Sequence, residues 1–160
     1  MKILALFAFF AFVSGSEYAY SSEMVEVPAG EFIMGDDSYA LPKKTAHLEA
    51  FSIDQFEVTN EEFARLFPEH VFWKDAQTRP ATSMTWHQAK TYCEQIGKRL
   101  PTEEEWEKSA RGTDARLYPW GNKPLRKKPH PFYSGIIKRR VGLNKKDNSP
   151  YGVRDMAGSV

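Results

Sequence analysis

The chain is short of cysteine, of unbalanced charge and of long apolar runs, and each shortage removes a class of protein. Cys93 is the only cysteine in 160 residues. No internal disulfide can form, and these residues cannot supply a site that needs two thiolates. Lys and Arg number 22 against 21 Asp and Glu, a formal net charge of +1. Nucleic-acid and membrane-surface proteins normally carry a clear excess of Lys and Arg, so neither role is expected. The longest uncharged apolar stretch, residues 3–13, is eleven residues, whereas a spanning helix needs roughly 20. His47, His70, His87 and His130 share no ligand spacing, which argues against a histidine-rich metal site. No internal repeat or low-complexity segment is present.

What the chain does contain begins with a leader. Met1 and Lys2 precede the apolar run, and Ser14, Gly15 and Ser16 follow it. Charge, short apolar segment and small residues together read as a secretory signal peptide. Residues 1–22 are therefore expected to be removed. Residues 23–160 would form one exported domain, periplasmic or secreted, with no membrane anchor left after cleavage. A lipid anchor just after the apolar run is excluded because the one cysteine lies at position 93. The remaining ~140 residues match one domain. Aromatics make up 14% of the chain, Gly and Pro number ten each, and the mean hydropathy is −0.55. Frequent breakers and abundant aromatics predict a loop-rich α+β domain anchored by rings.

Local patterns place its elements. Residues 24–35 alternate on either side of Pro28-Ala29-Gly30 and predict a hairpin or bent strand pair. Residues 36–44 are polar and read as a loop, in which Asp36 and Asp37 fit a solvated turn better than a cation site. Alternation resumes over residues 46–58. Thr59 with Glu62 forms a capping-box pattern, and Phe63, Leu66 and Phe67 predict the inner face of a helix stopped by Pro68. Thr85 is a second cap, and Trp86, Ala89, Cys93 and Ile96 recur at helical spacing, predicting an inward stripe. An inward thiol should have a normal or raised pKa and little nucleophilicity. The best-marked stretch is residues 98–112. There Pro101 precedes the cap Thr102, Glu105 completes the box, and Glu103 and Glu104 suit the positive end of the dipole. Lys108 and Arg111 suit the negative end, and Gly112 stops the helix. Trp106 and Ala110 are its expected apolar anchors. Leu117 to Asn122 and Asn148 to Gly152 read as turns. Between Lys123 and Lys146 nine Lys or Arg occur with no Asp or Glu, a pattern of a solvated loop or a patch for an acidic partner.

Taken in order, several blocks resemble one family. They are Val27 to Gly35, Phe51 to Asp54 with Glu57 to Asn60, Met84-Thr85-Trp86 with Ala89 and Tyr92-Cys93, and Gly97 to Glu107 with Ala110-Arg111-Gly112. Tyr118 to Asn122 and Tyr151-Gly152-Val153 with Asp155 to Gly158 complete the series. This succession is similar to the formylglycine-generating enzyme, or sulfatase-modifying factor, family. The resemblance implies a compact α+β domain related to C-type lectins, with little regular secondary structure. It also implies a reaction: oxidation of a sulfatase cysteine to formylglycine with molecular oxygen and a copper ion held by two cysteines. Those cysteines lie in the family beyond the Asp-Met-Ala-Gly block, where this sequence ends. The expectation is an amino-terminal portion, truncated at its C-terminus, with no catalytic residue of its own. Cys93 matches the family's structural cysteine. A sulfatase-like protein would be the partner of a complete version.

Family members also bind calcium. Carried over by position, Asp155 would give a side-chain ligand, and Gly158 and Val160 backbone carbonyls. The family's following glutamate ligand, two residues beyond Val160, is not in the sequence, and Ser159 replaces the usual asparagine, so a half-built site with weak binding is expected. The basic stretch after Asn122 lacks the acids of the family's other calcium site. Two further readings stand beside the oxidase portion: a non-catalytic exported binding module of lectin-like fold, and, least favoured, an iron-dependent sulfoxide-forming enzyme.

Overall fold

The computed structural model describes residues 23–37, 41–124 and 140–157. The signal segment, His130 and most of the basic stretch lie outside them. Four strands come first, β1 (Met24–Val27), β2 (Gly30–Asp36), β3 (Leu41–Leu48) and β4 (Phe51–Asp54). Three helices follow, α1 (Asn60–Leu66), α2 (Trp86–Gln95) and α3 (Glu103–Arg111).

The strands are nested. β1 pairs antiparallel with β4, from Met24 opposite Asp54 to Val27 opposite Phe51. Inside that pair, β2 runs antiparallel to β3, from Gly30 opposite Leu48 to Asp36 opposite Leu41. The two pairs form one long two-stranded ribbon, broken where Pro28-Ala29 face Glu49-Ala50. Of the two arrangements expected around Pro28, the structure has the bent pair of short strands and not the hairpin. Pro28 has no N–H to give to a ladder, so the pairing lapses there and resumes with the same two stretches of chain. β2 pairs instead with β3, which begins at Leu41, so residues 41–44, expected to belong to a loop, are strand. Only Asp37, bonded to Lys43 through its carboxylate, behaves there as the solvated turn residue expected.

All three helices start as their caps predict. Thr59, Thr85 and Thr102 each accept from the third helical N–H, and Glu62, Gln88 and Glu105 return the bond to the cap's own N–H. The faces they bury are less regular. On α1, Phe63 is buried and stacks on Phe67 at 4.7 Å and Tyr92 at 5.3 Å, with His70 edge-on at 5.0 Å. His70 Nε2 lies 2.8 Å from Asn60 Oδ1, and Asn60 Nδ2 donates to Ala76 O, so this histidine is a bonded core edge and not a ligand. On α2 the inward residue is Tyr92. Trp86, expected to lead the apolar stripe, is 62% exposed, and Cys93 is only half-buried. Tyr92, stacked on Phe63, is the residue that α2 buries.

α3 packs on β2 and β3, but not through Trp106, which is 46% exposed. Its buried residues are Glu105, Lys108, Ser109 and Ala110. The reason lies in the ribbon's two irregularities. At the Pro28 break, Lys108 Nζ donates to Pro28 O at 2.8 Å and Gly30 O at 2.9 Å. At Gly35, where the β2–β3 register shifts, Glu107 Oε1 accepts from Gly35 N at 2.8 Å and Arg111 Nη1 donates to Gly35 O at 3.0 Å. Glu107 and Arg111 also pair with each other. Backbone groups that the ladder leaves free must find partners when buried, and α3 supplies them. Gly112 then ends the helix at φ 70°, ψ −146°, a conformation that is essentially glycine's alone.

Candidate cation site at the 147–155 loop

Asp155 is the one family-implied ligand among the described residues; Gly158 and Val160 lie outside them. Its setting is a tight reversal. Ser149 N donates to Val153 O, and Gly152 N donates to Ser149 O. Ser149 Oγ accepts from Tyr151 N at 3.3 Å and Val153 N at 3.1 Å. Asn148 bridges Arg154, and Asp155 N donates to Asp147 O at 3.3 Å. The reversal thus sets Asp147 directly across from Asp155. Gln55 pins it to the ribbon, accepting from Arg154 N and donating through Nε2 to Gly152 O at 3.3 Å.

Both acids are buried, Asp147 at 3% and Asp155 at 8% exposure. Asp155 adopts φ 59°, a left-handed conformation that a short polar side chain tolerates. Its Oδ2 accepts from Gly142 N. Asp147 Oδ2 accepts from Ala157 N at 3.0 Å, while its Oδ1 is buried with no hydrogen-bond partner. Burial pushes both carboxyls above the usual range. For Asp147 the N–H of Ala157 opposes the shift and the charge of Asp155 adds to it. For Asp155, Gly142 N–H and the Arg154 guanidinium oppose it. Arg154 buries Nε and Nη1 without a partner.

A hard cation fits this donor set: oxygen atoms only, two of them carboxylates, one an orphaned acceptor. The two acids alone would not make a full coordination shell, and among the described residues no group of three or more His, Cys, Asp or Glu is gathered. Sequence reading missed Asp147. The signal was present, since the Asn148 to Gly152 turn, once read as a reversal, puts its two flanking acids opposite each other.

Copper does not fit. Copper(I) needs soft thiolate ligands, and Cys93 stands alone on α2, with its thiol pushed up mainly by burial and further by Asp54. Among the remaining candidates, His47 faces Glu49 at 3.6 Å on the surface, and His87 lies edge-on to Trp86. Neither approaches another ligand-type residue in a cluster. The Tyr118 to Gly121 turn is closed by reciprocal backbone bonds, with the Tyr118 and Trp120 rings stacked at 5.2 Å. A surface cleft of roughly 240 Å³ lies between α1 and α2, lined by Phe63, Phe67, His70, Val71, Met84 and Gln88 among others.

A nested two-stranded ribbon, three capped helices and the loops between them define an α+β domain of lectin-like fold. The crystal structure of CarF has the same fold, with a TM-score of 0.51 and 18% identity over 85% of this chain and 77% of that one. Residues 10–160 match the model of the sulfatase-modifying factor enzyme 1-like domain, and the chain belongs to that family. It is 32% identical to the serine/threonine-protein kinase pkn1 of Chlamydia pneumoniae over 87% of this chain and 27% of that protein. It is 30% identical to the formylglycine-generating enzyme of Bos taurus over 74% of this chain and 47% of that enzyme. To the bovine inactive C-alpha-formylglycine-generating enzyme 2 it is again 30% identical, over 86% of this chain and 68% of that protein. The chain therefore spans between about a quarter and two thirds of the length of these relatives.

Proposed function

We propose that these 160 residues are a non-catalytic portion of an exported formylglycine-generating-type domain, supplying its scaffold and not its copper-binding thiols. The observation that carries this reading is the solitary Cys93, half-buried on α2 with a thiol held in its neutral form. The sequence holds no second cysteine to complete a copper(I) site with it. Relatives named as active and as inactive formylglycine-generating enzymes both resemble the chain at similar identity, so kinship alone does not choose between them.

The test is direct. The purified chain, given copper(I), oxygen and a cysteine-bearing sulfatase peptide, should leave the cysteine unchanged by mass spectrometry. Formylglycine in the product would overturn the reading. Export is proposed from residues 1–22, and N-terminal sequencing of the protein recovered outside the cytoplasm would locate the cut. A sulfatase-like protein is the partner this family membership favours for a catalytic version.

A second reading, a binding module, is favoured by the cleft between α1 and α2 and by two residues of the segment after α1, Val71 and Trp73, which are 91% and 82% exposed. Exposed apolar side chains such as these serve as contact surfaces. Quenching or shift of tryptophan fluorescence by a peptide or glycan, lost in Trp73→Ala, would support it, and an inert spectrum would count against it.

A further inference from the structure

We propose that the cleft between α1 and α2 is a site for a primary ammonium carried on an apolar stem, with Glu69 as its counter-ion. The proposal rests on the reading of this face as a contact surface and names the chemistry it would take. The cleft holds roughly 240 Å³, and Phe63, Phe67, Val71 and Met84 supply its apolar lining. Phe67 gives one ring face to Phe63 at 4.7 Å, nearly parallel, while Phe63 is closed off by Tyr92 at 5.3 Å and by the edge-on His70 ring at 5.0 Å. Phe67 itself is only half-buried and lines the cleft. A cation beside such a ring is attracted by its negative face, and an apolar stem packs against the valine and the adaptable thioether.

The polar groups select the head. Asn60 Nδ2 donates to Ala76 O at 2.9 Å, so its Oδ1 is the atom 2.8 Å from His70 Nε2. An amide oxygen only accepts, so Nε2 carries the ring hydrogen and Nδ1 of the neutral ring is an acceptor. Glu69 is exposed and is the one acid or base with a full charge on the cleft wall among the described residues. The arginine nearest to it in sequence, Arg65, is paired with Glu61 instead. Gln88 adds no acceptor, because its Oε1 is held by Thr85 N at 2.9 Å and Thr85 Oγ1 at 3.0 Å. An anion would meet the Glu69 charge, and a neutral apolar ligand would leave that carboxylate unused. A quaternary ammonium has no hydrogen to give to either acceptor, whereas a primary ammonium has three.

The experiment follows the backbone amides of the isotope-labelled chain by NMR. Phenethylammonium chloride should shift residues 67–71 and 83–88 saturably, and added salt should weaken it by screening. Phenethyl alcohol should bind about threefold to fivefold more weakly, the trimethylated ammonium more weakly than the primary one, and phenylacetate not at all. Glu69 is exposed, so Glu69→Gln leaves the fold intact and should bring the ammonium down to the affinity of the alcohol. Glu26→Gln, at an exposed acid on β1, should match the wild type. Two sources of the head are separated by n-butylammonium and acetyl-lysine amide: equal affinity assigns the site to a free amine, and a gain for the lysine derivative assigns it to a lysine side chain of a protein. Equal binding of ammonium and alcohol, or an unchanged ammonium affinity in Glu69→Gln, overturns the proposal and leaves the contact surface standing. Shifts with none of the probes overturn it as well, and the contact role of Trp73 is then decided by its own fluorescence test.

Discussion

Lys108 reaches 80 positions back along the chain to place its ammonium 2.8 Å from the carbonyl of Pro28. The same nitrogen bonds Gly30 O, and the side chain is 1% exposed. No carboxylate is paired with it among the described salt bridges. Burial lowers its pKa from 10.5, so its attachment rests on hydrogen bonds to carbonyls and not on an ion pair. Lys108→Met keeps most of the stem's volume and removes both bonds. Urea unfolding should show a loss of about 1–3 kcal/mol, with Lys108→Ala losing more because a cavity is added.

Arg99 and Glu105 make a two-pronged pair, with Nη1 to Oε2 at 2.6 Å and Nη2 to Oε1 at 2.5 Å, while Glu105 also accepts the cap N–H of Thr102. The Arg99 bond is the first cause holding the Glu105 carboxyl below 4.5. A lowered carboxyl contributes stability that is complete above the unfolded value and is lost as pH falls through the folded one. Arg99 is 63% exposed, so solvent screens the pair, and Arg99→Ala should cost about 1 kcal/mol at neutral pH. Thermal melts of wild type and variant should draw together as pH falls from 4.5 and meet only below the lowered value of the folded carboxyl, where Glu105 is protonated in either chain. A gap that persists unchanged in acid would contradict the assignment.

Two glycines with the same backbone sign should respond differently to alanine. Gly142 has φ 71°, and a Cβ there would overlap the Phe56 ring. Gly97 has φ 72° and open space around the same position. Gly97→Ala carries only the left-handed penalty, about 1–2 kcal/mol. Gly142→Ala adds a clash, and should cost about 2–5 kcal/mol in denaturant titration.

Cys93 should react slowly. Its thiol is held up by burial and by Asp54, against the opposing charge of Lys98. Lys98 Nζ is bonded to Asp54 at 2.5 Å, which spends its charge on the carboxylate. Iodoacetamide labelling of the folded chain at neutral pH should lag behind that of the urea-unfolded chain. Lys98→Met should slow it further, since the charge that favours the thiolate is removed.

How much of this the sequence disclosed varied with how local the interaction is. Thr59, Thr85 and Thr102 were readable because a capping box is closed within four residues, and each formed as its spacing predicted. Pro28 left two arrangements open because a break in a ladder and a hairpin turn use the same residues, and only the position of a partner far along the chain, Phe51 and Leu48, distinguishes them. Trp106 and Trp86 misled for a different reason. Their hydrophobicity suggested anchors, but Tyr92 already fills the contact with Phe63, and the ribbon beside α3 offers unmet backbone groups that a lysine serves better than an indole. Of the site, Asp155 was legible through the family resemblance. Asp147 needed the folded reversal, which sets the two acids across from each other.

The contacts of α3 with Pro28, Gly30 and Gly35 are made to amides and carbonyls, groups that every amino acid carries. The helix therefore grips the ribbon by its geometry and is indifferent to most of its side chains. Substitutions at the outward positions of β2, Glu31 and Ile33, should be absorbed so long as the spacing holds. One residue inserted between Gly30 and Gly35 would separate the Lys108 grip from the Glu107 and Arg111 grip by a strand step of about 3.3 Å. The helix can satisfy only one of the two at a time, so length, and not composition, is what this part of the domain measures.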